Sequence, residues 1–479
     1  MTLPRSTPQD QDVDAEGIVA FLDAVQQRGI ELHSFMLARH GHVVAQGWWR
    51  PYAAERAQLV YSVSKSLAST AVGFLVHEGV LSLDDPVLDH LPHIPPQRLH
   101  PNWSRVTVRH CLTMTVGHDA DAWEPAFVGI DGDVLRAGTD WLPIVLATTP
   151  EHHPGTMFAY NQVATYLLSR VVHGATGCGL VDILRPRLLE PLGIPELPWQ
   201  RDPRGHELGF TGAHLTTEGL LAITQLWLDR GSWQGRQLLA PEWFDEATRP
   251  FGPPNRDPAG SADSVLGYGY SFWTSRHGYR ADGAFGQFGL VLPEQDAAVV
   301  MTAESGPTQE VLDAFWETAF AAIGAPGSRQ ADAILRERLE GLALPAGSGG
   351  ASRMEVAEFP RGDEPGELGL APAYTGVSVR PDRSGHVLRL RRGSDWLELR
   401  VGDGEWLESV LEAADLRLPV MSSGGWVSGD AFVAEVVVIE TPHRFRVEAR
   451  LGVGEATLTW RKRPLSGSDP FSLAVHSTG

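Results

Sequence analysis

The feature that most constrains this chain is an apolar helix predicted at residues 59–79. This stretch reads LVYSVSKSLASTAVGFLVHEG, in which small and apolar residues recur at helical spacing. Gly79 is placed to end the helix, because glycine tolerates the left-handed conformation found at helix C-termini. No continuous charged face runs along the stretch, so we expect a helix that the rest of the chain encloses on most sides.

Ser62 and Lys65 stand at the start of this helix, three residues apart and therefore on one face. Backbone N–H groups at a helix start can face developing negative charge, and an amine can take the hydroxyl proton. The chain has 39 Lys plus Arg, yet its only lysines are Lys65 and Lys462. Arginine stays protonated, whereas a desolvated lysine can lose its proton near neutral pH. The pair predicts an activated serine, with a capping serine beside a surface lysine as the alternative.

Tyr160 is the second candidate. It lies in the segment FAYNQ, which follows Pro154-Gly155 and precedes an apolar helical repeat, so a loop enters a helix here. Packing of a buried ring is the ordinary role of such a tyrosine. Near an ammonium group, however, the pKa of a phenol falls and the phenolate can act as a base.

The first part of the chain predicts an α/β fold with an antiparallel sheet flanked by helices and a helical region beside it. A helix is expected at residues 15–28 and a β-hairpin at residues 33–48. Alternating segments lie on both sides of Pro293 within residues 267–302, and a closing helix is expected at residues 311–323.

The chain is predicted to divide into two domains, residues 1–343 and 354–479. Residues 344–353, LPAGSGGASR, have linker composition. Beyond them several short segments alternate in polarity with turns between them, which predicts a small all-β domain, a barrel or a sandwich. Its role is left open between covering a cleft, mediating association and stabilising the first domain.

Composition excludes several classes of function. The formal charge of −20 argues against binding nucleic acid or an anionic membrane. No apolar run approaches the length of a membrane span, and the polar, acidic start shows no signal peptide, so a soluble cytoplasmic protein is expected. The His90/His93 and His152-His153 pairs lack a third ligand, so we predict neither a metal nor another cofactor. The oligomeric state is not indicated.

Three motifs in this order resemble the serine hydrolases of the β-lactamase and penicillin-binding-protein superfamily, on the class C side. They are Ser62-Val63-Ser64-Lys65, Tyr160-Asn161-Gln162, and the glycine-rich region at residues 283–287 followed by a Val-x-Pro. The resemblance covers roughly residues 15–325. It implies the β-lactamase/transpeptidase-like fold.

The resemblance also implies a mechanism. Ser62 would attack the carbonyl of an ester or amide and form an acyl-enzyme, while Lys65 and Tyr160 would share the general-base and proton-shuttle work. The backbone N–H of Ser62, with one from the strand at Gly283 or Ala284, would form the oxyanion hole.

Two departures from the family pattern bear on the substrate. Gln162, expected at the substrate-binding edge of the site, stands where asparagine is usual, and its amide is one methylene further out. The Lys-Thr-Gly strand motif, whose lysine helps hold a substrate carboxylate, is replaced by YRADG at residues 279–283. Candidates to replace the missing charge are Arg276, His277 and Arg280.

The reading that follows is a serine hydrolase acting on small ester or linear amide substrates, like the 6-aminohexanoate-oligomer hydrolases. One alternative is a β-lactamase or D-peptide hydrolase. The other is a non-catalytic binding or regulatory member of the fold, and the joint presence of Ser62, Lys65 and Tyr160 argues against it.

Overall fold

The computed structural model describes residues 2–130, 138–256, 260–349, 357–360, 374–383, 385–413 and 416–474. The α-helices in these ranges are α1 Ala15–Gln27, α2 Val63–His77, α3 Val108–Leu112, α4 Trp123–Phe127, α5 Leu142–Leu146, α6 Gln162–Thr176, α7 Leu180–Leu184, α8 Glu190–Leu192, α9 Thr217–Leu228, α10 Pro241–Ala247, α11 Thr308–Glu317 and α12 Arg329–Glu340. Among them no single helix has the length and apolar character needed to cross a membrane. The bent pair Gln162–Thr176 and Leu180–Leu192 passes that test only when taken together.

The strands belong to a mixed first part and a purely β second part. Those of the first part are β1 Leu32–Arg39, β2 His42–Trp48, β3 Gln58–Leu59, β4 His214–Leu215, β5 Ser232–Trp233, β6 Arg236–Gln237, β7 Trp273–Thr274, β8 Tyr279–Gly283, β9 Gln287–Leu292 and β10 Ala297–Ala303. Those of the second part are β11 Ala357–Pro360, β12 Gly376–Asp382, β13 Gly385–Arg392, β14 Asp395–Gly402, β15 Leu407–Ala413, β16 Leu416–Trp426, β17 Ala431–Val438, β18 Arg444–Arg450 and β19 Glu455–Trp460.

The central sheet of the first part has the order β2-β1-β10-β9-β8-β7, six strands within the described residues, all antiparallel. It separates two apolar cores because successive side chains of a strand point to opposite faces. Phe35 and Leu37 of β1 pack with α1, α11 and α12, whereas Met36 and Ala38 pack on the side of α2 and α9. This confirms the predicted α/β architecture, with helices on both faces of an antiparallel sheet.

Helix α2 is enclosed, as predicted. Every residue from Val63 to Leu75 is buried. Two of its serine side chains bond the backbone of another segment: the hydroxyls of Ser66 and Ser69 donate to the backbone carbonyls of Ser271 and Tyr270, each at 2.6 Å. These bonds fix the rotation of α2 about its axis, and therefore the direction in which its first turn points.

The second part is a nine-stranded sheet, counted over the described residues. Its path runs β11-β12-β13-β14-β16-β17-β18-β19, with β15 paired to β16. All pairs are antiparallel except β14 with β16. The first and last strands of the path contact each other, which curls the sheet towards a barrel. The all-β character of this region is confirmed, while the exact domain limits stay a prediction.

The described part of the predicted linker, residues 344–349, is bonded to both parts of the molecule. The Leu344 N–H donates to the Arg50 carbonyl at 2.7 Å, and the Leu344 side chain is buried beside Ile439. The Gly349 N–H donates to the Asp403 carboxylate at 2.8 Å. This segment therefore holds fixed positions on the surfaces that it joins.

The turn between β17 and β18, residues 439–443, is called the hairpin tip below. It reaches from the second part into the first. The Leu59 N–H of β3 donates to the Glu440 carbonyl at 2.9 Å, and the Tyr52 hydroxyl donates to the Thr441 carbonyl at 3.3 Å. The hairpin tip therefore lies against the segment that leads into α2.

Candidate active site

Ser62 occupies the N-cap position of α2, but its side chain makes no capping hydrogen bond. Its hydroxyl oxygen instead lies 2.9 Å from the Nζ of Lys65. Lys65 itself is 1% exposed. The alternative of a capping serine beside a surface lysine therefore does not describe this pair.

The amine of Lys65 has two further partners. Its Nζ donates to the Gln162 Oε1 at 2.6 Å and to the Phe210 carbonyl at 2.8 Å. Both oxygens only accept hydrogen bonds, so in the neutral amine they take both N–H groups and leave the lone pair facing the Ser62 hydroxyl. Burial lowers the pKa of Lys65 to about 7, although the negative charge of Asp121 acts in the opposite direction. The amine is therefore poised to accept a proton near neutral pH.

Tyr160 meets the same pair from the loop before α6. Its ring centroid lies 4.8 Å from the Lys65 Nζ, and its hydroxyl shares a hydrogen bond with Ser62. The ring stacks on Trp273 at 5.3 Å and meets Tyr268 edge-on at 6.0 Å. The structure thus brings together the three side chains that the sequence singled out as catalytic candidates.

The protonation state of Tyr160 differs from the sequence-based expectation. Burial raises the pKa of Tyr160 well above its usual value, and the hydrogen bond with Ser62 only partly opposes this effect. The expectation of a lowered phenol pKa assumed a permanent ammonium group nearby, but Lys65 is itself largely desolvated. Tyr160 is therefore a neutral phenol, and of these two groups only Lys65 loses its proton near neutral pH.

Gln162 is the first residue of α6, and its side chain points to Lys65. Asn161 caps the helix by accepting the Val163 N–H at 3.0 Å, and the Asp121 carboxylate accepts the Gln162 N–H at 3.0 Å. These two bonds fix the start of the helix. Gln162, for which the sequence analysis predicts a role in substrate binding, thus bonds the Lys65 amine.

The end of strand β8 adjoins the turn that carries Ser62. A side-chain carbon added to Gly283 would lie 2.3 Å from the Val60 carbonyl oxygen, so only glycine allows this approach. Among the described residues, the backbone N–H groups of Ser62 and Ala284 donate to no protein acceptor. Two free donors are therefore available on adjoining segments, as an oxyanion hole requires.

The residues considered as replacements for the missing lysine charge are all held in structural contacts. The Arg280 guanidinium is 1% exposed and bonds the Asp282 carboxylate at 2.8 Å. The Arg276 guanidinium bonds the Asp263 carboxylate at 2.7 Å. The His277 imidazole stacks on Phe320 with centroids 3.7 Å apart. Each of the three candidate replacements is therefore already engaged by a neighbouring side chain.

Two features of the site had no counterpart in the sequence analysis. Phe210 acts through its backbone carbonyl, so its residue type carries no signal. Asp121 lies in the irregular segment before α4, and only the fold shows that its carboxylate also accepts the Trp123 N–H at 3.1 Å. The described residues contain no group of three His, Cys, Asp or Glu side chains arranged to hold a metal ion.

Comparison with known families gives a match over most of the first part of the chain. Residues 19–323 match the family model described as Beta-lactamase. This range contains Ser62, Lys65, Tyr160 and the end of β8, and it stops before the nine-stranded sheet.

Two curated relatives are similar to parts of the chain. Esterase EstB of Burkholderia gladioli is 30% identical over 215 residues, which is 40% of this chain and 55% of the esterase. The 6-aminohexanoate-dimer hydrolase of Paenarthrobacter ureafaciens is 25% identical over 252 residues, which is 50% of this chain and 63% of the hydrolase. The chain thus spans little more than half the length of these relatives.

The fold of almost the whole chain is found in a solved structure. The crystal structure of SurE covers 93% of this chain and 99% of its own, with a TM-score of 0.51 and 20% sequence identity. At this identity the likeness concerns the fold alone. It extends to the nine-stranded sheet, because a match of that extent includes both parts of the molecule.

Proposed function

Because the chain belongs to the beta-lactamase family, we propose that it is a serine hydrolase that acts through an acyl-enzyme on small ester or linear amide substrates. The observation that carries this proposal is the buried amine of Lys65, whose Nζ lies 2.9 Å from the Ser62 hydroxyl oxygen and bonds two further oxygens that only accept. An esterase and an amide hydrolase among the relatives support the class of substrate.

In the first step the Ser62 oxygen attacks the substrate carbonyl while its proton passes to the Nζ of Lys65. A pKa of about 7 leaves a substantial fraction of this amine neutral at physiological pH. The ammonium formed keeps its bonds to Gln162 and Phe210, so little rearrangement accompanies the transfer.

The carbonyl oxygen becomes negatively charged in the tetrahedral intermediate. The N–H groups of Ser62 and Ala284 are the donors proposed to receive it. A donor of this kind typically lowers the barrier by about 3 kcal/mol. The position of Ser62 at the start of α2 adds the positive end of the helix dipole.

The leaving group needs a proton when the carbon–oxygen or carbon–nitrogen bond breaks. Tyr160, a neutral phenol that shares a hydrogen bond with Ser62, is placed to donate it. The Lys65 ammonium then returns its proton to the Tyr160 oxygen, which restores a neutral amine and a neutral phenol. Water attacks the ester of Ser62 while the Lys65 amine takes a proton from it, and that proton passes to the Ser62 oxygen when the ester bond breaks. Hydrolysis of the ester frees the serine for the next turnover.

The charges around the site favour substrates without a carboxylate next to the reacting bond. Asp282 precedes Gly283 on β8, and the Arg280 guanidinium is already bonded to it. Among the described residues at this edge, a substrate carboxylate would meet Asp282 and an arginine that is already paired with it. Esters and linear amides are therefore preferred here over β-lactams and peptides that end in a carboxylate.

The test is hydrolysis of p-nitrophenyl acetate by the wild-type protein and by Ser62→Ala. We expect the substitution to abolish turnover, and mass spectrometry to show an acetyl group on Ser62 of the wild type. Ser66→Ala is the matched control, because this serine lies on the same helix but bonds a backbone carbonyl. Unchanged turnover in Ser62→Ala would remove Ser62 from the mechanism.

The substrate class is tested by comparing a short-chain ester, a linear amide and nitrocefin. We expect the ester or the amide to have the highest kcat/KM. A preference for nitrocefin by orders of magnitude would reverse this ranking and make the protein a β-lactamase.

A further inference from the structure

We infer that the C-terminal β-rich part belongs to the catalytic apparatus, because His443 on its hairpin tip positions both oxyanion donors through the rings of Tyr61 and Phe285. The inference rests on the proposed function. His443 and Tyr61 are positioning residues, since they act on Ser62 and Ala284 and do not touch the reacting atoms.

Tyr61, directly before Ser62, has a backbone that needs support. Its φ of +47° lies in the left-handed region, which is unfavourable for a residue with a side chain. Such a conformation persists only where the surroundings fix it. Tyr61 is 3% exposed, and the direction of the Ser62 N–H depends on this conformation.

The support comes from the hairpin tip. The Nε2 of His443 lies 2.5 Å from the Tyr61 hydroxyl, and its Nδ1 lies 3.0 Å from the Lys462 carbonyl. Because a carbonyl only accepts, Nδ1 carries the proton and Nε2 accepts the hydrogen bond of Tyr61. Burial lowers the pKa of His443 to about 3, so the imidazole stays neutral and this arrangement is kept over the working pH range.

The second oxyanion donor is tied to the same imidazole. Phe285 follows Ala284 and has a φ of +66°, again in the left-handed region. Its ring centroid lies 4.7 Å from that of His443 and 5.2 Å from that of Tyr61. Each donor residue thus adjoins an aromatic residue of strained backbone, and His443 contacts both rings.

The backbone of the hairpin tip is fixed to the segment before the nucleophile. The Leu59 N–H donates to Glu440 on one side, and the Val60 N–H donates to the Ala213 carbonyl on the other, both at 2.9 Å. A displacement of the tip would therefore move the residues that lead into Ser62. In an active site, a misplacement of about 1 Å can cost a hundredfold in rate.

The test compares Tyr61→Phe, His443→Phe and His443→Gln in the full-length protein, with p-nitrophenyl acetate as substrate. Tyr61→Phe keeps every ring and removes only the hydroxyl. We expect kcat to fall about tenfold in Tyr61→Phe and His443→Phe, with KM and the melting temperature nearly unchanged. His443→Gln supplies another acceptor and is expected to recover part of the rate.

The double variant Tyr61→Phe/His443→Phe should be no slower than the slower single variant, because both substitutions remove the same hydrogen bond. His386→Phe is the matched control: it is a buried histidine of the same β-rich part that meets Phe432 edge-on, with centroids 5.2 Å apart. We expect its kcat to equal that of the wild type.

Unchanged kcat in Tyr61→Phe and His443→Phe, with an active wild type, would overturn this inference and leave the proposed hydrolase intact. So would additive losses in the double variant. A wild type that neither hydrolyses the ester nor becomes acetylated would overturn both proposals. If His443→Phe does not fold, Tyr61→Phe alone decides.

Discussion

Two regions of this molecule bury charged side chains, and they put them to different use. At the candidate site, Lys65 has only neutral hydrogen-bond partners, and burial lowers its pKa to about 7. At the contact between the two parts of the molecule, Glu31 bonds Arg444 at 2.7 Å and lies 3.2 Å from Arg461. Burial raises the pKa of Glu31, but the hydrogen bond and charge of His33, with the two arginines, lower it to about 2.

The difference shows that the partners of a buried ionisable group decide what the group can do. Glu31 is surrounded by cations that keep it ionised, so it stabilises the contact between the two parts and exchanges no proton near neutral pH. Lys65 has no such counter-charge among its bonded partners, so its two protonation states are close in free energy. That balance is what proton transfer needs.

The largest effect is expected for Lys65→Arg. Arginine keeps a positive charge but cannot lose a proton, so we expect kcat/KM to fall about a thousandfold, nearly as far as in Lys65→Ala. Steady-state kinetics with p-nitrophenyl acetate measure the loss, and circular dichroism checks the fold. A well-preserved rate in the arginine variant would show that Lys65 acts only through its charge.

The contact between the two parts of the molecule is tested by Glu31→Gln. This change removes the carboxylate that Arg444 bonds, but Arg444 keeps Glu435 and Arg461 keeps Glu304, so we expect the free energy of unfolding to fall by about 2 kcal/mol. Urea denaturation at neutral pH measures the change. The rate per folded molecule should stay near that of the wild type, and a variant as stable as the wild type would contradict the structural role.

The pH dependence of stability provides a second test of the role of Glu31. The pKa of Glu31 falls from 4.5 to about 2 on folding, so its contribution is complete above pH 4.5 and lost as the pH drops towards 2. The stability difference between wild type and Glu31→Gln should therefore shrink over this window. A difference that stays constant would assign the effect to packing.

The pH profile of kcat/KM tests the lowered pKa of Lys65. The neutral amine is the active form, so kcat/KM should rise about tenfold per pH unit below pH 7 and level off above it. Hydrolysis of an ester followed between about pH 5 and 9 gives the profile. A flat profile across pH 7 would place the pKa of the base elsewhere.

The smallest effect is expected where a charge pair is exposed. Arg338 and Asp23 are 2.6 Å apart, with side chains 42% and 49% exposed. We expect Arg338→Ala to change the free energy of unfolding by less than about 0.5 kcal/mol, because water screens such pairs. Urea denaturation beside Glu31→Gln provides the measurement, and a loss as large as that of Glu31→Gln would show that burial does not separate the two classes.

The sequence was informative where the structure is local. The spacing of Ser62 and Lys65 on one helix follows from helix geometry, and the predicted hairpin at residues 33–48 corresponds to β1 and β2. The helix expected at residues 311–323 is less regular: it ends at Glu317, and a 3₁₀ turn at Phe320–Ala322 follows. Short-range periodicity defines such elements to within a few residues.

The rest of the site depends on contacts between distant residues. The direction of the Tyr160 pKa shift is set by burial, with Trp273 and Tyr268 among the surrounding rings, more than a hundred positions along the chain. His443 and Tyr61 are hydrogen-bonded although they lie 382 positions apart in the chain, and no sequence pattern in either segment predicts this contact. The short segments FAYNQ and SVSK identify chemical groups, but only tertiary packing determines their protonation.

The bond between Leu59 and Glu440 limits how this protein can be recombined with its relatives. A chimera that joins residues 1–343 to an unrelated β-barrel loses the acceptors for the Leu59 amide and the Tyr61 phenol. Successful grafting therefore has to keep residues 439–443 together with residues 1–343, so the natural unit of exchange in this chain crosses the apparent domain border.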